Sequence, residues 1–161
     1  VGASDLLKVV SVPTLRNHPM ALPPQVKSLN YLNNILAKIE SIDAGASEAI
    51  MYNSEGYVAE ASGDNVFIVK NGTIYTPPVQ AGSLDGITRQ VVIRLAMQAG
   101  LPVVEKNLTR FDLYVADEFF LTGSAAEVIG VVEIDGRMIG QGTPGPMTQK
   151  LRKLFFEYAR S

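Results

Sequence analysis

Asn65-Val66-Phe67-Ile68-Val69-Lys70-Asn71-Gly72-Thr73-Ile74-Tyr75-Thr76-Pro77-Pro78 is the stretch on which the fold turns. Two runs rich in β-branched and aromatic residues flank Asn71-Gly72, a dipeptide that tolerates positive φ and so closes a tight hairpin. Pro77 has no amide to donate and ends the second strand. The same grammar repeats outward. Ala49–Tyr52 and Tyr57–Ala61 flank Asn53-Ser54-Glu55-Gly56, and Val131–Ile134 faces Met138-Ile139 across Asp135-Gly136. Leu6–Val12, Val103–Glu105 and Phe119–Thr122 read as further strands, the last one buried.

Between the strands the period changes. Leu29, Leu32, Ile35, Leu36 and Ile39 recur at three- and four-residue steps, the stripe of an amphipathic helix that begins at Ser28 and frays by Ile42–Gly45. A second helix is predicted from Gly86 or Ile87 to Ala99, stopped by Gly100-Leu101-Pro102. Thr109-x-x-Asp112 opens a short helical turn as a variant of the capping box. Pro146 starts a last helix running to about Tyr158, with Leu151, Leu154 and Phe155 on one face. Hairpin-linked strands outnumber helices, so the fold class is α+β rather than a doubly wound sheet.

Composition narrows the function. The 161 residues have the length of one domain, 47% are hydrophobic and the net charge is −2, with no basic block of the kind nucleic-acid binders carry. Without cysteine there is no disulfide, thiolate metal site or thiol nucleophile, and the single His18 builds no multi-histidine metal centre. No apolar run reaches the roughly 18–20 residues of a membrane helix, and the first residues resemble no signal peptide, so a cytoplasmic protein is expected. The chain begins with Val1, which suggests a piece of something longer.

Four places carry residues suited to chemistry. Lys27 stands one residue before the first helix; it reads either as a surface lysine or as an amine poised for Schiff-base chemistry. Glu60 precedes the turn Ser62-Gly63-Asp64-Asn65; it reads either as an edge-strand carboxylate or as an acid facing a cation in a cleft. Gly86-Ile87-Thr88-Arg89 begins a helix whose free amides suit an anion, unless Asp85 simply caps it. Thr122-Gly123-Ser124-Ala125-Ala126 concentrates small residues with accessible amides.

Taken in order, Lys27-Ser28-Leu29-Asn30-Tyr31-Leu32-Asn33, Glu60 before Asn65-Val66-Phe67, Gly86-Ile87-Thr88-Arg89 and Leu121-Thr122-Gly123-Ser124-Ala125-Ala126-Glu127-Val128 resemble the class IV (fold type IV) pyridoxal-phosphate aminotransferases, nearest to the branched-chain amino acid type. The resemblance covers nearly the whole chain and implies the large, cofactor-binding domain, a pseudo-barrel of mostly antiparallel strands with flanking helices. It implies that Lys27 is the lysine joined to pyridoxal 5′-phosphate and the carrier of the substrate proton. Tyr31 then lies near the cofactor phenolic oxygen, Glu60 pairs with the pyridine nitrogen, and Leu84 packs on the ring. Gly86, Ile87, Thr88 and Ser124 hold the phosphate, and Ser124 and Ala125 also approach the substrate carboxylate. Many relatives carry Thr in place of Ser124; the hydroxyl is preserved.

The implied reaction moves an amino group between branched-chain L-amino acids (Leu, Ile, Val) and 2-oxoglutarate. D-amino acid transamination and aminodeoxychorismate lysis are rivals on the same scaffold, and the Asn30-Tyr31 pair favours the branched-chain type. From another class, the chain reads as a catalytically silent fragment. The family further implies an N-terminal small domain, which is expected to be missing before Val1, and a homodimer or larger homo-oligomer.

Overall fold

The computed structural model describes residues 6–18, 20 and 31–161. Among the described residues nine strands and four helices follow in the order β1 (Leu6–Ser11), α1 (Leu32–Asp43), β2 (Glu48–Tyr52), β3 (Val58–Ala61), β4 (Asn65–Lys70), β5 (Thr73–Thr76), α2 (Ile87–Gln98), β6 (Val103–Glu105), α3 (Arg110–Tyr114), β7 (Glu118–Gly123), β8 (Glu127–Ile134), β9 (Arg137–Met138) and α4 (Pro146–Arg160). A short 3-10 turn over Val79–Ala81 lies between β5 and α2.

All the strands join one sheet, ordered β3-β2-β1-β8-β7-β4-β5-β6, with β9 on β8. Five pairings are antiparallel and three, β1 with β2, β1 with β8 and β5 with β6, are parallel. This is the α+β architecture expected from the hairpins.

Chain length forces the sheet to curl. Laid flat, β3 and β4 would stand five strand spacings apart, roughly 24 Å. The link from Ala61 to Asn65 spans at most about 14 Å when fully extended. The two strands therefore meet only if the sheet bends round on itself, and it does so as a half-barrel.

Alternation along the strands sorts the core into layers. Ile50, Val66, Ile68, Phe119, Leu121 and Ile134 point into the curl, where Leu108 and Leu113 fill it. Their neighbours Phe67, Val69, Phe120 and Val128 point outward, against Val92 and Ala96 of α2 and Leu151 of α4. Phe67 and Phe120 are cross-strand partners whose rings stack 5.0 Å apart. The turn at Thr109 is a full capping box: Thr109 accepts from the Asp112 amide, and Asp112 accepts from the Thr109 amide.

Two elements differ from the sequence expectation. The apolar stripe of α1 does not face the sheet: Leu32, Ile35, Leu36, Ile39 and Ile42 are exposed, while Asn34, Ala37 and Ser41 are buried. Small residues let α1 lie close on Ala49 and Met51 of β2. The expected start at Ser28, and Leu29 of the stripe, fall outside the described residues. Strand β8 begins at Glu127, four residues before the expected Val131, because Val128, Ile129 and Gly130 pair with Thr122, Leu121 and Phe120. A Cβ at Gly130 would come within 2.9 Å of Pro144, so glycine leaves room for that proline to pack.

Candidate active site

The curl brings the end of β3, the start of α2 and the end of β7 to one corner. Glu60, on β3, is 6% exposed. One carboxylate oxygen, Oε1, lies 3.1 Å from Arg16 Nε, and the other accepts a hydrogen bond from the Leu84 amide at 3.0 Å. Burial still dominates and pushes the Glu60 carboxyl up to about 7. Arg16 and Leu84 oppose the rise, while Asp64 and Glu48 add to it.

Asn65, the first residue of β4, fixes the approach to α2. Its Nδ2 donates to the Leu84 carbonyl at 2.8 Å. Leu84 is thus tethered at both ends, by Glu60 through its N–H and by Asn65 through its C=O. A Cβ at Gly86 would sit 2.6 Å from Asn65 Oδ1, so only glycine fits there while Asn65 keeps its place. Gly86 is also the N-cap of α2 and makes no side-chain cap, so the amides of the first turn are left for a ligand or solvent. Asp85 does not cap the helix. It accepts from Arg89 Nη1 at 2.9 Å, and buried Arg89 also reaches Glu105 and the Pro77 carbonyl, pinning the start of α2 to β5 and β6.

Opposite stands the end of β7. A Cβ at Gly123 would lie 1.9 Å from Asp64 Oδ1 and 3.3 Å from the Gly63 carbonyl, so the β3–β4 turn packs directly on this backbone. Thr122 is fully buried, and its Oγ1 has no hydrogen-bond partner among the described residues. Burial, reinforced by Glu48 and opposed by Lys38, raises the Asp64 carboxyl to about 6.

These groups line a cavity of about 70 Å³, room for a phosphate-sized group rather than a whole cofactor. A larger groove of about 680 Å³ runs beside α4, between Gly130 and Arg160, and contains none of them. Chemically the small cavity combines helix-start amides and hydroxyls, suited to an anion, with a buried acid suited to a cationic N–H. Asp64 works against an anion once it is ionised. We therefore expect Asp64→Asn and the unaltered chain to bind inorganic phosphate alike near pH 5, and the variant to bind several-fold tighter near pH 8. Calorimetric titration at the two pH values checks this, and equal affinities near pH 8 would place Asp64 outside the anion's field.

Of the residues singled out from sequence, Glu60, Leu84, Gly86, Ile87, Thr88 and Ser124 line this one cavity. The Ile87 side chain is 81% exposed, so only its backbone serves the site. Tyr31 stands at the N-cap of α1, half exposed, and does not line the cavity; nor does Ala125, which is exposed in the turn after β7. Lys27 lies outside the described residues. Sequence reasoning assigned no role to Arg16, Asp64 or Asn65, and named Thr122 and Gly123 only as part of the small-residue run with accessible amides. For Asp64 and Asn65 the signal was their place in the turn after Glu60, already quoted; for Arg16 there was none.

The family model for amino-transferase class IV matches residues 2–134. The chain belongs to the class IV aminotransferases. It is 49% identical over 152 residues to the branched-chain-amino-acid aminotransferase of Pseudomonas aeruginosa, covering 94% of this chain and 49% of that protein. Its fold superposes on the branched-chain aminotransferase of Thermoproteus uzoniensis, crystallised with norvaline, with a TM-score of 0.92 at 42% identity, covering 96% of this chain and 52% of that one. The branched-chain amino acid aminotransferase of Thermobaculum terrenum, solved in its PLP holo-form, gives a TM-score of 0.92 at 40% identity over 96% of this chain and 52% of that one. This class IV chain thus spans about half the length of the relatives it matches. Among its described residues no helix is long and apolar enough to cross a membrane.

Proposed function

We propose that this chain is the cofactor-binding domain of a cytoplasmic, pyridoxal-phosphate-dependent branched-chain amino acid aminotransferase, acting on Leu, Ile and Val with 2-oxoglutarate. The observation that carries the reading is that a buried acid on β3 and an uncapped helix start share one cavity with the hydroxyl-rich end of β7. The residues fit the cofactor. Gly86 and Gly123 let Asn65 and Asp64 close against the backbone at the cavity wall, and the orphaned Thr122 hydroxyl is a polar group awaiting a partner.

In this reading the amides of Ile87 and Thr88, with the hydroxyls of Thr88 and Ser124, hold the phosphate. Glu60 takes the pyridine N–H, its negative charge favouring the protonated ring. Leu84, fixed by Glu60 and Asn65, offers its side chain to the ring, and Tyr31 serves the phenolic oxygen. When bound, the cofactor supplies an electron-withdrawing ring that stabilises a carbanion at the substrate α-carbon. Lys27 provides the amine that anchors it and then carries the proton to and from that carbon. Ser124 and Ala125 direct amides at the substrate carboxylate. Self-association into a homodimer or larger oligomer belongs to the same reading, supported by the exposed apolar stripe of α1; a monomer in light scattering at high concentration would remove it.

The test is covalent. The chain is mixed with pyridoxal 5′-phosphate, reduced with borohydride and digested, and the peptides are weighed. The cofactor mass is expected on Lys27 and absent from Lys27→Ala. Attachment spread over surface lysines, or none, would overturn the reading. Transamination of L-leucine against D-alanine then tests the substrate class.

A further inference from the structure

Arg16 sits in the loop after β1, outside every motif that points to the site, yet its side chain is only 10% exposed and that of Glu60 only 7%. Its Nε lies 3.1 Å from Glu60 Oε1 and donates to the Gly82 carbonyl at 3.0 Å. Its Nη1 donates to Asn33 Oδ1 at 3.1 Å and to Asn34 Oδ1 at 3.0 Å, both on the first turn of α1. The two asparagines are themselves fixed. Asn33 donates to the Leu15 carbonyl at 2.7 Å and accepts from the Asn17 amide at 3.1 Å, clamping the loop on either side of Arg16. Asn34 donates to the Ser62 carbonyl at 2.9 Å, two residues beyond Glu60.

We infer that Arg16 is the positioning residue of the acid: it keeps Glu60 charged and fixed at the cavity wall, and it locks that acid to the start of α1, the helix that follows Lys27 in sequence. The inference rests on the reading of the site given above. A guanidinium stays charged at every working pH, so the countercharge facing Glu60 does not depend on the medium. Its planar fork serves Gly82, Glu60, Asn33 and Asn34 together, which a lysine, with one compact ammonium group, does not match. The other charges acting on Glu60, Asp64 and Glu48, are acidic and oppose its ionisation. Arg16 is therefore the cation on which the charge of Glu60 depends among the described residues.

The test needs no turnover. Glu60 is followed by carbon NMR in the cofactor-free chain labelled at glutamate carboxyls, its signal assigned with Glu60→Gln. Arg16→Met is expected to raise the Glu60 titration midpoint by about one unit or more, a tenfold gain in proton affinity, and Arg16→Lys to recover part of it. Near pH 8 Arg16→Met is expected to lose about tenfold in affinity for pyridoxal 5′-phosphate and to bind inorganic phosphate unchanged. An unmoved Glu60 midpoint, or equal losses for both ligands, would overturn the inference by reducing Arg16 to a structural tie. If Arg16→Met does not fold, Arg16→Lys carries the same comparison. If the unaltered chain has no affinity for pyridoxal 5′-phosphate, the reading of the site fails while the NMR titration still decides Arg16.

Discussion

Unfolding of the cofactor-free chain will come at a lower temperature near pH 8 than near pH 5, and Glu60→Gln will remove most of the difference. The sign follows from the proton count. The Glu60 carboxyl is raised from 4.5 to about 7 in the folded chain, chiefly by burial. Between those values the folded chain keeps a proton that the unfolded chain gives up. Stability is therefore greatest below the lower value, falls as pH rises through the window, and levels off above about 7. The loss is about 3 kcal/mol, a large part of the roughly 5–15 kcal/mol that holds a domain together. It corresponds to roughly 10 °C in midpoint for a chain of this size. Asp64, raised to about 6, contributes in the same direction with a smaller effect because it is less buried. Circular dichroism melts at the two pH values decide the matter. Equal midpoints, or an unchanged difference in Glu60→Gln, would show that Glu60 is not the buried acid described. Added pyridoxal 5′-phosphate is expected to narrow the gap if, as proposed, its ring N–H is held by Glu60, because that partner lowers the cost of ionising the acid.

Phe120→Ala will be the most damaging of the core truncations. Phe120 is fully buried, stacks on Phe67 and packs with Val92 and Ala96 of α2 and Leu151 of α4. Three elements meet at this ring, so no single one can move in to fill the space without leaving the others. The cost is about 3–5 kcal/mol, enough to lower the melting midpoint by roughly 10 °C or more. Phe111→Ala is the control. Its ring is 69% exposed, and the loss should stay within about 0.5 kcal/mol. A Phe120→Ala midpoint no lower than that of Phe111→Ala would contradict the layered core.

Local chemistry made the hairpins legible. Asn71 and Gly72 take φ of 49° and 78°, and Asp135 and Gly136 take 51° and 76°, the mirror-image turns that such dipeptides favour. The parallel neighbours of β1 were not legible, because β2 and β8 are far away in sequence and no short-range signal specifies them. Helix α1 misleads for a physical reason. Close packing on β2 selects Ala37 and Ser41, so the smaller residues go inward and the larger apolar ones stay outside. At the site, the acid and the glycine-marked helix start could be read because their neighbours form motifs. Arg16 could not, since one arginine in a loop has no pattern until the fold sets it beside Glu60.

The three-residue link between β3 and β4 works as a drawstring on the whole architecture. It is too short to reach across an open sheet, so the β3 rim is drawn round to β4 at the very corner where Glu60 and Gly123 line one cavity. Lengthening that link by even a few flexible residues would let the mouth of the barrel slacken, and the pocket would lose its shape before the rest of the domain lost its fold.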